Sequence, residues 1–186
     1  MPSLKLLPWL LAALLSVPAQ AAWRLDQESS RLSFITSKLA NVAEVNRFRS
    51  LAGSVADDGQ VQLQVRLESV DSGIPLRDER LRKQLFDVEQ FAQAHISTQL
   101  DIAPLLTLAA GAQLELRLPL TVNLHGRSHD YGSELLVTRL DDRRFQVVTL
   151  APLATRYNSS STCCSAAAMA ANMRGKNCGP SSSNSN

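Results

Sequence analysis

Residues 114–124 read LELRLPLTVNL, with an apolar side chain at every second position from Leu114 to Leu124. Because successive side chains of a β-strand point to opposite faces, the pattern predicts a long strand with one buried face. At about 3.3 Å per residue the strand would span about 35 Å, well beyond an average strand. Pro119 cannot donate a ladder hydrogen bond and should lie at a bend or an edge. A long, bent, one-sided strand favours a barrel or a strongly curled sheet over a flat sandwich.

The same alternation recurs in shorter segments on both sides of this strand, at residues 31–37, 61–67, 95–102, 134–140 and 144–150. Asp57-Asp58-Gly59 is typical of a hairpin turn, because the glycine supplies a positive φ at little cost. The form of the connection at residues 104–111 is left open. These segments together predict a mainly β, antiparallel domain.

Residues 70–97 form the strongly helical part of the pattern. Pro75 suits a helix start, after the cap-forming side chains of Asp71 and Ser72. Opposite charges four residues apart, at 78 and 82 and at 79 and 83, suit the exposed face. Apolar side chains suit the other face and an anchor just beyond it: Leu81, Leu85, Val88, Phe86 and Phe91. We predict one short amphipathic helix packed against the sheet. The residues leave open whether this helix closes an opening or only covers the sheet.

The amino-terminal residues 1–21 have the form of a signal peptide. Lys5 precedes an almost wholly apolar run at residues 6–17, and Ala19-Gln20-Ala21 is a small-x-small cleavage site. We expect cleavage after Ala21 and a mature protein without a stable membrane span, located in the periplasm or secreted. Lys5 is one of the 19 basic residues, so the mature chain is nearly balanced against 17 acidic ones. This balance argues against a nucleic-acid partner.

We predict a single domain at residues 22–153, followed by a change in composition. Residues 154–186 contain no Val, Ile, Leu, Phe, Asp or Glu, and are rich in Ser, Ala and Asn. Such a segment buries too little apolar surface to offset chain entropy, so we predict a disordered tail, with at best a weak helix over 166–173. The three cysteines, Cys163, Cys164 and Cys178, lie in this tail without a metal-binding spacing.

No motif in the sequence predicts catalysis, a metal or a cofactor. His125 and His129 are four apart but bracket a turn at Gly126, so they lack the shared helical face that metal ligation would use. The aspartate pairs at 57–58 and 141–142 suit turns for backbone reasons. What remains is a set of strands with one Leu- and Val-rich face. The residues alone leave open whether that face is a packed core or encloses a cavity.

Several motifs resemble the YceI-like family of exported, lipocalin-like barrels that bind polyisoprenoid lipids. Its opening is similar to Trp23, Asp26, Ser30, Leu32 and Phe34, and its first hairpin to Phe48 and Gly53. Its most specific stretch is matched by Asp71, Arg77, Asp78, Leu81, Arg82, Phe86, Asp87 and Val88, and a late element by Val122, Leu124, His125 and Gly126. The resemblance covers residues 23–153. Ala92 stands where the family usually has proline.

The resemblance implies an antiparallel lipocalin-like barrel that holds a polyisoprenoid or similar long-chain lipid, without catalysis, and with the helix as its lid or plug. We assign the inward strand positions ourselves and expect ligand contacts at Phe34, Leu63, Val65, Leu67, Phe86, Phe91, Leu114, Leu116, Leu118, Leu120, Phe145 and Val147. The alternatives are a secreted β-rich enzyme that uses the 125–129 turn, or a structural interaction module without lipid.

The carboxyl end departs from the family, whose last strand closes the barrel. The composition after Leu153 predicts no such strand, so we expect incomplete closure. An open sheet edge invites aggregation or pairing with another chain, which makes a homodimer one expectation. A shifted reading frame or a degenerated end would explain the change in composition, a hypothesis that the other two frames of the coding DNA test.

Overall fold

The computed structural model describes residues 21–38, 42–158 and 161–175, and within them the protein is an antiparallel β-barrel. The strands are β1 (Ala21–Leu25), β2 (Arg31–Lys38), β3 (Val42–Phe48), β4 (Leu51–Ala56), β5 (Gln60–Arg66), β6 (Val70–Asp71), β7 (Gln93–Gln99), β8 (Gln113–Leu124), β9 (Arg127–Arg139), β10 (Arg144–Thr149), β11 (Leu153–Asn158) and β12 (Ser161–Gly175). Two short helices, α1 (Pro75–Arg80) and α2 (Ala103–Thr107), connect strands. The predicted signal peptide lies outside the described residues except for Ala21.

The barrel closes through eight strands in the order β1, β4, β5, β7, β8, β9, β10 and β12, with β12 pairing back to β1. Every one of these pairings is antiparallel. The remaining strands extend the same walls, because β2 pairs with both β12 and β3, and β3 pairs with β6. The predicted antiparallel barrel is therefore confirmed, and the predicted incomplete closure is wrong.

The closing strand corrects the prediction of a disordered tail. Within the predicted tail, residues 154–158 belong to β11 and residues 161–175 form β12, where we predicted disorder or a weak helix, and residues 159–160 and 176–186 lie outside the described residues. The prediction failed because it counted only Val, Ile, Leu and Phe, whereas Met169, Ala171 and Met173 alternate on the inner face of β12. Pairing on both edges, with β10 on one side and β1 and β2 on the other, also stabilises a strand whose composition is weakly β-forming.

Side chains of β1 and β12 fit each other closely at this closure. Trp23 pairs with Gly175, and a Cβ at Gly175 would lie 2.8 Å from the Trp23 Nε1 atom. The Asp26 amide donates to the Asn172 carbonyl oxygen at 2.8 Å, and the Asn172 amide donates to Ser30 Oγ at 3.2 Å. The residues in the family's opening motif therefore attach the first strand to the last.

The long strand β8 behaves as its sequence predicts. Its even-numbered residues face inward, and it pairs along its whole length with β9, from Gln113 opposite Thr138 to Leu124 opposite Arg127. On its other edge only residues 121–123 pair with β7. Pro119 lies just beyond that short ladder, where its carbonyl accepts a hydrogen bond from Thr98 Oγ1 at 2.6 Å. The prediction that Pro119 lies at a bend or an edge is confirmed.

Chain connections alternate between the two ends of the barrel. One end carries α1 and the turn between β8 and β9, and we call it the α1 end. The other end carries α2, the β4–β5 hairpin and the β9–β10 turn, and we call it the α2 end. Backbone hydrogen bonds link the α2-end connections, from the Leu100 amide to the Gly59 carbonyl oxygen at 2.9 Å and from the Gly111 amide to the Arg139 carbonyl oxygen at 2.7 Å.

The hairpin turn predicted at 57–59 is confirmed. Gly59 has a φ of +86°, in the left-handed region that favours glycine. A Cβ at this position would also collide with the Leu100 carbonyl oxygen. Two reasons therefore favour glycine at position 59. The turn needs a positive φ, and the close approach of the α2 connection leaves no space for a Cβ.

The α1 segment is fixed by the charged residues of the family's most specific stretch. The Arg77 guanidinium lies 2.8 Å from Glu44 Oε1 and ties α1 to β3. Asp78 accepts hydrogen bonds from the Ser72 amide and hydroxyl at 2.7 and 2.6 Å, rather than pairing with Arg82 as its spacing suggests. The predicted pair of Glu79 with Lys83 is present at 2.8 Å. The motif's charges therefore position the helix.

The helix ends in a wider turn that returns the chain to the sheet. Residues 81–85 form a π-helical turn, in which the Phe86 amide donates to the Leu81 carbonyl oxygen at 2.9 Å. Asp87 follows with a φ of +44°, a conformation that Asp and Asn tolerate better than most side chains. The Phe86-Asp87 pair of the motif therefore ends the helix and buries Phe86.

Asp71 is the electrostatic anchor beneath α1. Its carboxylate accepts hydrogen bonds from Arg47 Nε at 2.7 Å and Arg49 Nε at 3.0 Å, and from the Gly73 amide at 3.1 Å. The hydrogen bond from Arg47 is the largest cause that lowers the pKa of Asp71 from 3.8 to about 2. The ionised carboxylate thereby joins β3, β6 and the start of the helical segment.

Replacing Asp71 by asparagine should lower stability in a pH-dependent way. Because the folded-state pKa lies below the unfolded value, the ionised group stabilises the fold above about pH 4, and this contribution is lost as the pH falls towards 2. The two arginines are largely exposed, so we expect a difference of about 1 kcal/mol at pH 7. Urea unfolding of both proteins from pH 7 to pH 2.5 measures it, and a difference that is constant over this range would contradict this assignment.

Candidate functional site

The barrel encloses a cavity of about 140 Å³. Its wall is formed by inward-facing side chains of β1, β2, β4, β5 and β7–β12, together with the α2 connection. Buried clusters lie towards the two ends of the barrel. The cluster at the α1 end includes Phe34, Phe48 and Phe86, and the buried members of the cluster at the α2 end all line the cavity: Val55, Leu105, Val137, Phe145 and Met173. The cavity therefore occupies the middle of the barrel and reaches the α2 end.

Among the described residues that line the cavity there is no Asp, Glu, Lys, Arg or His. Two inward threonines use their hydroxyls within the wall, since Thr98 Oγ1 donates to the Pro119 carbonyl oxygen and Thr149 Oγ1 accepts from the Met169 amide at 3.0 Å. Gln62 and Ser97, the other polar lining residues, pair across β5 and β7 at outward-facing positions. The cavity surface is consequently almost wholly hydrocarbon.

An aromatic cluster closes the α1 end. The rings of Phe34 and Phe48 are stacked with centroids 5.0 Å apart, and Phe86 meets them at 5.6 and 5.5 Å. All three side chains are buried, and none lines the cavity. The predicted role of the helical segment as a plug is thus seen in its geometry, with Phe86 as the inserted side chain.

The cover at the α2 end is thinner. Leu105, on the five-residue helix α2, is 7 % exposed and lines the cavity, as do Leu100 and Ile102 just before the helix. The Arg139 guanidinium holds the end of α2, donating from Nη1 to the Leu106 and Leu108 carbonyl oxygens at 3.0 and 2.6 Å. One short helix and one arginine thus cover this side of the cavity.

The structure divides the predicted ligand-contacting residues into two groups. Six of them line the cavity: Leu63, Leu116, Leu118, Leu120, Phe145 and Val147. Five others pack elsewhere in the interior. Phe34, Val65, Leu67 and Phe86 lie in the cluster at the α1 end, and Leu114 packs against the cluster at the α2 end. Phe91 stacks on His125 with ring centroids 4.6 Å apart. The predicted set and the cavity lining therefore overlap only in part, because strand alternation does not give the depth at which each strand meets the cavity.

Several cavity residues were not predicted from the sequence: Trp23, Leu25, Leu32, Val55, Val61, Leu100, Ile102, Leu105, Leu135, Val137, Met169, Ala171 and Met173, with Ile96 and Leu153. Leu32 and Val61 could have been found, because each lies two residues from a position that was assigned inward, Phe34 and Leu63. The β12 residues lie in the part for which disorder was predicted.

The histidines and paired aspartates do not form a catalytic or metal-binding arrangement among the described residues. His125 stacks on Phe91, while His129 lies against Tyr131 at a ring distance of 6.4 Å. No group of three His, Cys, Asp or Glu that could hold a metal occurs in the described ranges. Asp141 is a turn residue, and the Arg143 amide and the Arg144 side chain lower its pKa. In the same ranges, no helix has the length and apolar character needed to cross a membrane.

Comparison with known proteins identifies the family. The family model of the YceI-like domain matches residues 23–159. The chain belongs to the YceI-like family. The match begins within β1, at Trp23, runs through β11 and ends before β12 begins, so the strand that closes this YceI-like barrel lies beyond the matched range.

Solved structures show the same YceI-like fold. One is a polyisoprenoid binding domain from Saccharophagus degradans implicated in plant cell wall breakdown, with a TM-score of 0.79 and 28% identity over 84% of this chain and 100% of that chain. Another is BcnA from Burkholderia cenocepacia, with a TM-score of 0.60 and 14% identity over 82% of this chain and 99% of that chain. No curated protein sequence matches the chain.

Proposed function

We propose that this protein is an exported carrier that holds the hydrocarbon chain of a polyisoprenoid or similar long-chain lipid inside its barrel. The observation that carries this proposal is a closed barrel around a cavity whose described lining residues include no charged side chain. Such a wall offers hydrocarbon contact and no counter-charge, so it favours an apolar chain and disfavours a buried ionic group. Each methylene transferred from water contributes about 0.8 kcal/mol before ordering costs.

The relative from Saccharophagus degradans supports the same ligand class, since it is a polyisoprenoid binding domain of the same fold that is aligned over its whole length. Export to the periplasm or beyond is supported by the signal-peptide pattern at residues 1–21. The proposed role is storage or transfer without chemical change. It rests on an interior that brings no titratable side chain to the place where the ligand would lie.

The experiment that tests this proposal is mass spectrometry of organic extracts from protein purified without detergent. We expect a long-chain isoprenoid in about one-to-one amount, and none in an unrelated exported protein purified in parallel. A different long-chain lipid would reject the isoprenoid and retain the carrier. Protein that is free of lipid, and that also fails to bind a polyprenol added from ethanol, would overturn the proposal.

A further inference from the structure

The two faces of helix α2 meet different environments. Leu105 points into the cavity and is 7 % exposed, whereas its neighbour Leu106 is 57 % exposed on the outer face. More than half of Leu106 is therefore accessible to solvent. Helix α2 thus presents Leu105 to the interior of the barrel and Leu106 to the exterior.

A second exposed leucine lies beside α2. Leu140, at the start of the β9–β10 turn, is 40 % exposed and follows Arg139, the residue that binds the end of α2. Both aspartates of this turn are paired, Asp142 with Arg139 at 3.3 Å and Asp141 with Arg144 at 2.6 Å, and the exposed Arg143 leaves one net positive charge. The surface around the two leucines is therefore apolar with a small net charge.

The wall beside α2 is also weakly connected. β7 and β8 pair at only three positions, as few as β1 pairs with β4 or with β12, and among the described residues the edge of β8 from Gln113 to Leu118 has no paired strand on the β7 side. Leu116 and Leu118 line the cavity from this part of β8. Displacing α2 would thus break few backbone contacts and would expose the cavity along its side.

The cavity is too small to hold a long lipid chain unless the barrel opens. A dry apolar cavity of about 150 Å³ accommodates benzene, a ring of six carbons, and this one is about 140 Å³. It therefore holds about one five-carbon isoprene unit in the described state, and the rest of a long chain must leave it. The aromatic cluster of Phe34, Phe48 and Phe86 closes the α1 end, so the chain must leave past α2.

We infer that the α2 end is a docking face for a lipid bilayer, at which Leu106 and Leu140 insert among the acyl chains while α2 moves aside and admits a hydrocarbon tail. The inference rests on the proposed function. A bilayer is the partner that satisfies both observations, because it accepts exposed leucines on a surface of small net charge and also supplies the occupant of the cavity behind them. Contact depends on apolar insertion, so it should be insensitive to salt.

The α1 end supplies a matched control. It exposes Val45, Ile74 and Leu76, at 68, 46 and 59 %, a larger apolar surface than that at the α2 end. The aromatic cluster separates these residues from the cavity. If exposed apolar area alone determined membrane transfer, the α1 end would control it. Our inference assigns control to the α2 end.

The experiment measures uptake of a fluorescent polyprenol analogue from phosphatidylcholine vesicles by stopped flow. We compare the wild type with Leu106→Glu/Leu140→Glu and with the control Ile74→Glu/Leu76→Glu. The α2-end variant should take up the probe at least about tenfold more slowly, because two charges must now enter the acyl region. The control should retain the wild-type rate. Both variants should bind the probe added from ethanol with wild-type affinity, because none of the four residues lines the cavity.

The following results would contradict the inference. Wild-type uptake by the α2-end variant, or equal slowing in the control, would overturn it while leaving the carrier function intact. A rate that falls strongly between 50 and 500 mM salt would show electrostatic docking and would also overturn it. Leu106→Ser/Leu140→Ser repeats the test without added charge, should the glutamate variant lose binding from ethanol. Failure of the wild type itself to bind the probe from ethanol would reject the proposed function as well.

Discussion

Replacing Leu118 by glutamate is expected to abolish lipid binding and to destabilise the barrel severely. Leu118 lines the cavity on β8, opposite the buried Ser133, and none of the described lining residues is cationic and able to pair with a carboxylate. An unpaired buried carboxylate costs several kcal/mol, or takes up a proton and remains an unpaired polar group. Leu116→Glu should act similarly, because Leu116 lines the same cavity two residues along the strand.

The control for this prediction is Gln113→Glu, which adds the same charge to the exposed outer face of the same strand. It should leave the unfolding free energy within about 0.5 kcal/mol of the wild type and lipid content unchanged. Urea unfolding and lipid extraction from the purified variants measure both effects. If Leu116→Glu and Leu118→Glu both fold normally and bind lipid without loss, this face does not form the ligand cavity.

Replacing Phe86 by alanine is expected to lower the unfolding free energy by about 3 to 5 kcal/mol. Phe86 is 5 % exposed and meets Phe34 and Phe48 at ring distances of 5.6 and 5.5 Å, so its loss removes the centre of the aromatic cluster. Leu76→Ala on the same helical segment, at a position 59 % exposed, should change stability by less than about 0.5 kcal/mol.

The Phe86→Ala variant also tests whether Phe86 plugs the end of the barrel or contacts the ligand. Because Phe86 does not line the cavity, the folded fraction of Phe86→Ala should bind an added polyprenol with wild-type affinity. A loss of affinity in fully folded protein, measured at low temperature and without denaturant, would instead restore Phe86 to the ligand-contacting residues that the sequence predicted.

The helical segment shows how far a motif can be interpreted. Its boundaries, its apolar face and its Glu79–Lys83 pair follow from spacing along one helix, which the sequence contains directly. The partners of Arg77 and Asp78 do not, because Glu44 and Ser72 come from other parts of the chain. The motif identifies the family, while its structural purpose is visible only in the packed molecule.

The closing strand β12 shows what the local sequence does not reveal. Ala- and Ser-rich chain has little intrinsic preference for a strand, and its low apolar content predicted disorder. The fit of Trp23 over Gly175, and the alternation of Met169, Ala171 and Met173, were signals present in the sequence. These signals indicate a strand only when β1 and β10 lie beside β12, so they could not be recognised from the local sequence.

The sequence by itself determined the antiparallel strands, the apolar face of each strand and the short helical segment, because alternation, turns and helix spacing are local properties. The tertiary structure decided closure, the depth of the cavity and the identity of its cover. These depend on which strands are neighbours and at what register, and Leu63 and Val65 show the consequence. They share one face of β5, yet one lines the cavity and the other packs beneath the plug, because they lie at different depths along the barrel.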